Sequence, residues 1–495
     1  MIDELDRRTD LASDLTRRAR AAGVGLIWRA QARRTSRVLV QSGRAEETGV
    51  STASGHGVQV VTPEGYTALG SRDDFDPGAA ANLLDRVIGI AAHGPDLGLT
   101  RVPAASSEAL RARDVPEGLE AFERLDLEAA RNRLIDLERE IASRVEGVTL
   151  RLAFGTDLDG WRVVRDDGTD VTFAMPRCTM RMTASNEGSG DRHSVGASVS
   201  GPLPDLPWND ATVAKFLERA LAAARLATRL PDAPNHPSGS FPILMDYALA
   251  KGLAHEAFGH ASEADGFRSS ILAKDGKFRA GDRVGPAHVS VIDEPVRGDH
   301  AFQPFSANGV RRRRATIVDH GHLKDALTDA WTSASAGTSL TGAERAESFR
   351  SAPLPRMTNI RIEVDAPIPA PGAFEDYGPE EVRELLASAG IFRRHPEVVF
   401  LSGYSGGQVN TVTGDFVFNC KSIYRLGHSG ATLYKPAIFS GSMFGALGAI
   451  REAFGPLALD AIGTCGKWGQ SVPSSGGSHW FVFLEPEPSV RLGGR

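Results

Sequence analysis

Two imidazoles and a carboxylate stand within six residues in the stretch His255-Glu256-Ala257-Phe258-Gly259-His260. Neutral imidazole is a good zinc ligand, and a carboxylate beside such a site can take a proton from water that the metal has made acidic. These residue types in this spacing therefore suit metal-assisted hydrolysis. The common arrangement is H-E-x-x-H, whose histidines at i and i+4 share one helix face. Here one more residue intervenes. At about 100° per residue, i and i+4 are roughly 40° apart around an α-helix and i and i+5 roughly 140°. A regular helix would aim the two rings away from a common ion. A local i→i+5 turn brings them back to one side, as π-bulges at functional sites do, and Gly259 lowers the cost of the distortion. The competing reading is a pair of unrelated histidines on an amphipathic helix.

A third donor must come from elsewhere in the chain, which has three cysteines. Cys178 and Cys420 sit in alternating, strand-like text, where a small thiol is an ordinary core residue. Cys465 lies in Gly463-Thr464-Cys465-Gly466-Lys467-Trp468-Gly469-Gln470. This reads as a glycine-flanked loop whose backbone can approach an ion, with Lys467 nearby to favour the thiolate. With the two histidines it completes a His, His, Cys donor set for Zn2+.

Further segments follow in a fixed order: His255 to Asp265, Arg356-Met357-Thr358-Asn359-Ile360, Ser405-Gly406-Gly407-Gln408-Val409, Thr413-Gly414-Asp415-Phe416-Val417-Phe418 and Cys465-Gly466-Lys467-Trp468-Gly469-Gln470-Ser471-Val472-Pro473. Upstream stand Ser36 to Val40 and Gly55 to Val60. Together these resemble the TldD/PmbA family of bacterial and archaeal metallopeptidases over most of the chain. The resemblance implies His255, His260 and Cys465 as zinc ligands and Glu256 as general base. The family contains motif-bearing subunits and partners that lack the motif, so the intact motif implies a TldD-like catalytic subunit. It also implies a homodimer, or a heterodimer with a metal-free paralogue, whose sites face an enclosed cavity reached by short or unfolded peptides. One departure is visible: the family's usual acidic run is replaced by Phe305 to Val310 followed by Arg311 to Arg314, which makes the substrate groove the expected point of difference.

The expected chemistry is amide hydrolysis with metal-bound water as nucleophile and Glu256 carrying its proton to the leaving nitrogen. A thiolate ligand makes the zinc a weaker Lewis acid than a third imidazole would. Lesser candidates are Glu263, three residues after His260 and able to orient its ring, and His479, which follows the Cys465 segment. Gly406 and Gly407 either admit an extended peptide or form a plain hairpin turn. His320, His322 and His428 have no spaced partner and read as structural or solvated. Two rival functions are a non-catalytic subunit with structural zinc and a tailoring hydrolase that cleaves a C–N bond in a small metabolite.

The elements that must position these residues read as α+β in two domains. Residues 1–232 form an N-terminal antiparallel sheet with flanking helices, and residues 233–495 a sheet-rich domain carrying the metal-site helix. Helices are expected at Leu11 to Ala22, Ala79 to Ala92, Leu119 to Arg144, Asn209 to Arg229, Glu380 to Ser388 and Gly441 to Ala453. Early strands are expected at Val24 to Trp28, Arg37 to Val40, Gly57 to Val61, Val148 to Phe154, Arg162 to Phe173 and Thr179 to Ala184. The Pro-rich run Leu230 to Ser240 marks the boundary. Beyond it Phe241 to Met245 reads as a strand, with Asp246 capping the metal helix. The remaining strands are placed at Val289 to Asp293, Thr316 to Val318, Arg361 to Val364, Val398 to Leu401, Asp415 to Phe418 and Trp480 to Leu484.

At 495 residues and a formal net charge of −6, the chain has ample length for its core and no electrostatic footprint for nucleic acid. The exception, Arg311 to Arg314, is expected to be a solvated or partner-facing strand. A charged beginning without an apolar stretch, and no run of about 18 apolar residues, argue against secretion and membrane spanning. An odd number of cysteines argues against a disulfide framework. Cytoplasmic residence is the expectation.

Overall fold

The computed structural model describes residues 1–99, 101–103, 107–186, 192–205 and 208–493. Alternating apolar positions in the N-terminal part give long hairpins. Strand Gly25–Gln41 pairs antiparallel with Arg44–Val61, and Val148–Arg165 with Asp170–Asn186, all four in one seven-stranded sheet. The short strand Arg111–Asp114 joins it in parallel. The strand expected over Arg162 to Phe173 is interrupted, because Asp167 accepts the Thr169 amide at 3.0 Å and Gly168 takes φ 99°, turning the chain back on itself. Successive residues of the first strand face opposite sides. Leu26 and Trp28 pack under helices Thr9–Ala21 and Pro77–Ala92, while Ile27 meets Trp161, Phe173 and Phe305 on the other side.

Two expected helices are shorter than their apolar pattern. Leu119 to Arg144 divides into a 3-10 turn, Leu119–Phe122, and a helix, Leu127–Arg144, which starts where the Asp126 side chain accepts the amides of Glu128 and Ala129. Gly441 to Ala453 divides into the helix Met443–Gly448 and the strand Ile450–Ala458. There, pairing with Gln470–Leu484 buries Ala453 and Phe454 against a neighbour distant in sequence, and this outweighs local helical pattern.

The second sheet has thirteen strands and is drawn from residues after the Pro-rich run. Its centre matters for function. Strand Ile243–Asp246 lies between Glu397–Asn410 on one side, in parallel, and Gln470–Leu484 on the other, antiparallel. All four of its residues are buried, so the helix that follows starts from a fixed point. The 210–229 helix packs Phe216, Ala220 and Ala224 into a core that also holds Leu244, Phe400 and Phe481, so the two sheets share apolar packing across residues 230–240. No helix among the described residues is long and apolar enough to cross a membrane.

Asp246 anchors the start of the helix that leads to His255. Its carboxylate accepts the Leu249 amide at 2.9 Å, the Gly403 amide at 2.6 Å and the Ser402 hydroxyl at 2.9 Å. Asp246→Ala removes the cap and leaves buried donors unmatched, so a loss of about 3 kcal/mol is expected from the shift in urea midpoint, with partial recovery in Asp246→Asn.

Candidate metal centre

From Asp246 the chain runs as an α-helix over Tyr247–Leu253, then widens. Residues Ala254–Gly259 form a π-helical turn in which the His260 amide donates to the His255 carbonyl, five residues back, and a 3-10 turn, His260–Ser262, closes the segment. The two imidazoles thereby come to the same side, with ring centroids 5.1 Å apart and planes at 90°. Gly259 contributes differently from the expectation. Its φ of −59° is ordinarily helical, so conformational freedom is not used. A Cβ there would fall on Met357 Sδ and crowd Ile360, so the glycine lets the turn lie against the strand Asn359–Val364 and the residues before it.

Cys465 lies in a strand, Gly463–Lys467, and not in the expected loop. The strand forms a hairpin with Gln470–Leu484, turning at Trp468 and Gly469, both with positive φ. Arg356, itself buried, donates to the Cys465 carbonyl and ties the hairpin down. Cys465 Sγ stands 3.6 Å from His260 Nε2, and one donor atom from each of His255, His260 and Cys465 lies within 4.8 Å of the others. In a tetrahedral site with Zn–S near 2.3 Å and Zn–N near 2.05 Å, the S···N separation is about 3.6 Å. The donor set thus fits zinc in both atom type and spacing. Cys178 and Cys420 are buried and unpaired; burial pushes the Cys420 thiol up to about 12.

The surroundings prepare each donor. Burial, then the Lys251 charge, hold His255 well below the usual imidazole range, so its ring is neutral, and its Nδ1 is buried without a hydrogen-bond partner. Burial opposes the charged form of His260 too, but Glu263 and Cys465 outweigh it and raise the ring well above its usual value. Burial likewise works against the Cys465 thiolate, which His260 and then Arg356 nevertheless favour, so the thiol is lowered. An incoming dication would take the place of the proton between His260 and Cys465.

Glu263 accepts from His260 Nδ1 at 3.1 Å, which directs Nε2 towards Cys465. Lys467 does not face the thiolate as expected. Its ammonium is engaged by Glu263 at 2.9 Å and Asp265 at 2.8 Å, and so holds the orienting carboxylate in place. Glu256 stands beside the three donors, with Oε1 accepting from Tyr404 Oη at 2.9 Å and Oε2 3.9 Å from His260 Nε2. Tyr404 was not singled out by sequence, although it immediately precedes the Ser405 to Val409 segment; nothing in its own spacing links it to Glu256.

These residues line a cleft of about 1030 Å³. Gly406 and Gly407 also line it, but as an irregularity within strand Glu397–Asn410 and not as a hairpin turn: the pairing shifts between Tyr404 and Gly407, and Gly406 takes φ 102°. His479 does not reach the cleft. It sits opposite Leu457 with Nδ1 on the Gly455 carbonyl at 2.9 Å. His320, His322 and His428 also lie outside it. The Arg311 to Arg314 run is no solvated strand throughout, since Arg312 is buried on Asp293 at 2.6 Å and Arg311 covers Phe305. Phe305 to Asn308 face the N-terminal sheet, where Arg29 binds the Ala307 carbonyl at 2.6 Å and the Asn308 side chain. Residues 305–314 therefore pack between the sheets and do not line the cleft, where a difference in the substrate groove is expected from the sequence.

The PmbA/TldA metallopeptidase C-terminal domain matches residues 238–462. Metalloprotease MJ0996 of Methanocaldococcus jannaschii is 30% identical over 359 residues, 71% of this chain and 72% of that one. The chain belongs to the TldD/PmbA family of metallopeptidases. A second family relative, a metalloprotease of Methanothermobacter thermautotrophicus, is 26% identical over 456 residues, covering 91% of this chain and 92% of its own. The fold is that of TldE from Thermococcus kodakarensis, with TM-score 0.74 at 12% identity over 98% of this chain and 100% of that one.

The Glu263 network makes a pH prediction for the metal-free protein. His260, raised, contributes stability that is fully present below 6.5 and lost as pH rises through its folded value; Glu263, lowered, contributes stability present above 4.5 and lost as pH falls through its folded value. The stability difference between wild type and Glu263→Gln should therefore be greatest between those limits and shrink on either side, as read from urea titrations at a series of pH values.

Proposed function

We propose that this chain is the motif-bearing, catalytic subunit of a zinc-dependent peptidase that hydrolyses amide bonds in short or unfolded peptides. The observation that carries this reading is the 3.6 Å approach of Cys465 Sγ to His260 Nε2 beside a glutamate bonded elsewhere. His255, His260 and Cys465 hold the ion, and three protein donors leave a position for water. Zinc supplies Lewis acidity and an activated water when bound. Glu256, held by Tyr404, receives the proton from the attacking water and returns it to the leaving nitrogen. Glu263 fixes the His260 ring for its role, and Lys467 fixes Glu263. The cleft wall formed by strand Glu397–Asn410 offers an extended chain a surface beside the base.

The partner in this reading is a second copy or a metal-free paralogue, and the full-length likeness to an archaeal TldE supports a paralogue of the same fold. Cytoplasmic residence belongs to the same proposal.

Zinc-loaded wild type and Glu256→Gln, incubated with a mixed peptide library and read by mass, should differ: the variant loses about 10²-fold or more in rate. Identical product patterns would overturn the peptidase reading. Cys465→Ala should lower bound zinc after dialysis against a competing chelator, and a metal content equal to wild type would remove Cys465 from the ligand set.

A further inference from the structure

Lys251 stands one helical turn before His255, is 4% exposed, and lines the same cleft as His255, Glu256 and Cys465. An ammonium carries three donors, yet among the described residues its one hydrogen-bond acceptor is Ser474 Oγ at 3.2 Å. Its Nζ also lies 5.9 Å from the centroid of the Tyr404 ring, whose hydroxyl holds Glu256. Burying a cation with most of its donors unused is costly, and the cost is recovered only if something negative arrives. The peptidase reading, on which this inference rests, supplies that event. Water attack forms a C–O bond and moves the carbonyl electron pair onto oxygen while Glu256 holds the proton. Collapse then restores the carbonyl, breaks the C–N bond and delivers the proton to nitrogen.

Charge balance leaves room for a protein cation. Glu256 is neutral once it holds the proton, so a dication and one thiolate would leave a single positive charge to face the oxyanion, and a second cation beside it would add to that. We propose that Lys251 is a catalytic residue, a preorganised cation that stabilises the oxyanion developing on the scissile amide through its unused N–H donors. The alternative is a structural counter-charge for Cys465, Glu256 and Asp299, whose negative charges act on the same ammonium.

The two roles separate on metal affinity and on kcat against KM. Zinc-loaded wild type, Lys251→Met and Glu256→Gln would be compared on a mixed octapeptide library over a concentration series, with zinc affinity measured by competition against a chromophoric chelator. An oxyanion partner predicts kcat lower by about 10²-fold in Lys251→Met with KM within about twofold. It also predicts zinc bound at least about fivefold more tightly, because a like charge beside the dication has gone. Lys251→Gln, polar and of similar length, should show the same kcat loss if Lys251→Met folds poorly. Weaker zinc binding in both variants, or a kcat within twofold of wild type while Glu256→Gln is inactive, would overturn the role of Lys251 and leave the peptidase reading standing. Products identical in wild type and Glu256→Gln would overturn both.

Discussion

The hydrogen bond from the His260 amide to the His255 carbonyl spans five residues where an α-helix spans four, and the site is organised around that one difference. It rotates His260 onto the His255 side without interrupting the rigid segment that carries both. A π-turn is intrinsically costly, so it persists only where its surroundings allow no other backbone. Ahead of it, Asp246 pins the helix to the central strand. Behind it, Ser262 Oγ donates to the Gly259 carbonyl at 2.8 Å, and Gly259 packs against Met357 with no space for a side chain. Ala254, Ala257 and Phe258 are fully buried in the larger core, which leaves the turn no room to relax.

Charge burial around the site follows a consistent logic. Lys467 pairs with Glu263 and Asp265 beneath His260, leaving Glu263 Oε1 and Asp265 Oδ2 buried without a partner, and Arg312 pairs with Asp293 where Arg356 and Arg345 support the Cys465 hairpin through backbone carbonyls. Such groups are expensive to bury singly and tolerable when paired. Their return is a fixed orientation for imidazole and thiolate that flexible surface residues could not provide.

Chemistry was legible in the sequence where it is local. For His255 and His260 to face one ion, elementary helix geometry calls for an i→i+5 turn, and the structure has one there. Asp246, Asn209 and the alternating strands at 25–61 carry local signals and form the elements those signals indicate. What was not legible depends on strand pairing. Gly463–Lys467 forms a tight hairpin with Gln470–Leu484 across Trp468 and Gly469, which its glycines disguise as a loop, and residues 450–458 leave helical pattern because they pair with the same strand further along the chain. Tyr404 and Lys251 carry no motif of their own, and their contacts with Glu256, Ser474 and each other arise from the side chains that the sheet brings to them. Arg312 looks solvated beside three other arginines until Asp293 is placed opposite.

His260 on the helical segment and Cys465 on the hairpin are 205 residues apart in sequence. An ion gripping both would therefore act as a covalent staple does, closing a long loop whose entropy the unfolded chain would otherwise retain. It would fasten the hairpin to the helix beside the central strand, adding to the tie that Arg356 already makes. A newly made chain would complete its donor set only after the Cys465 hairpin had docked.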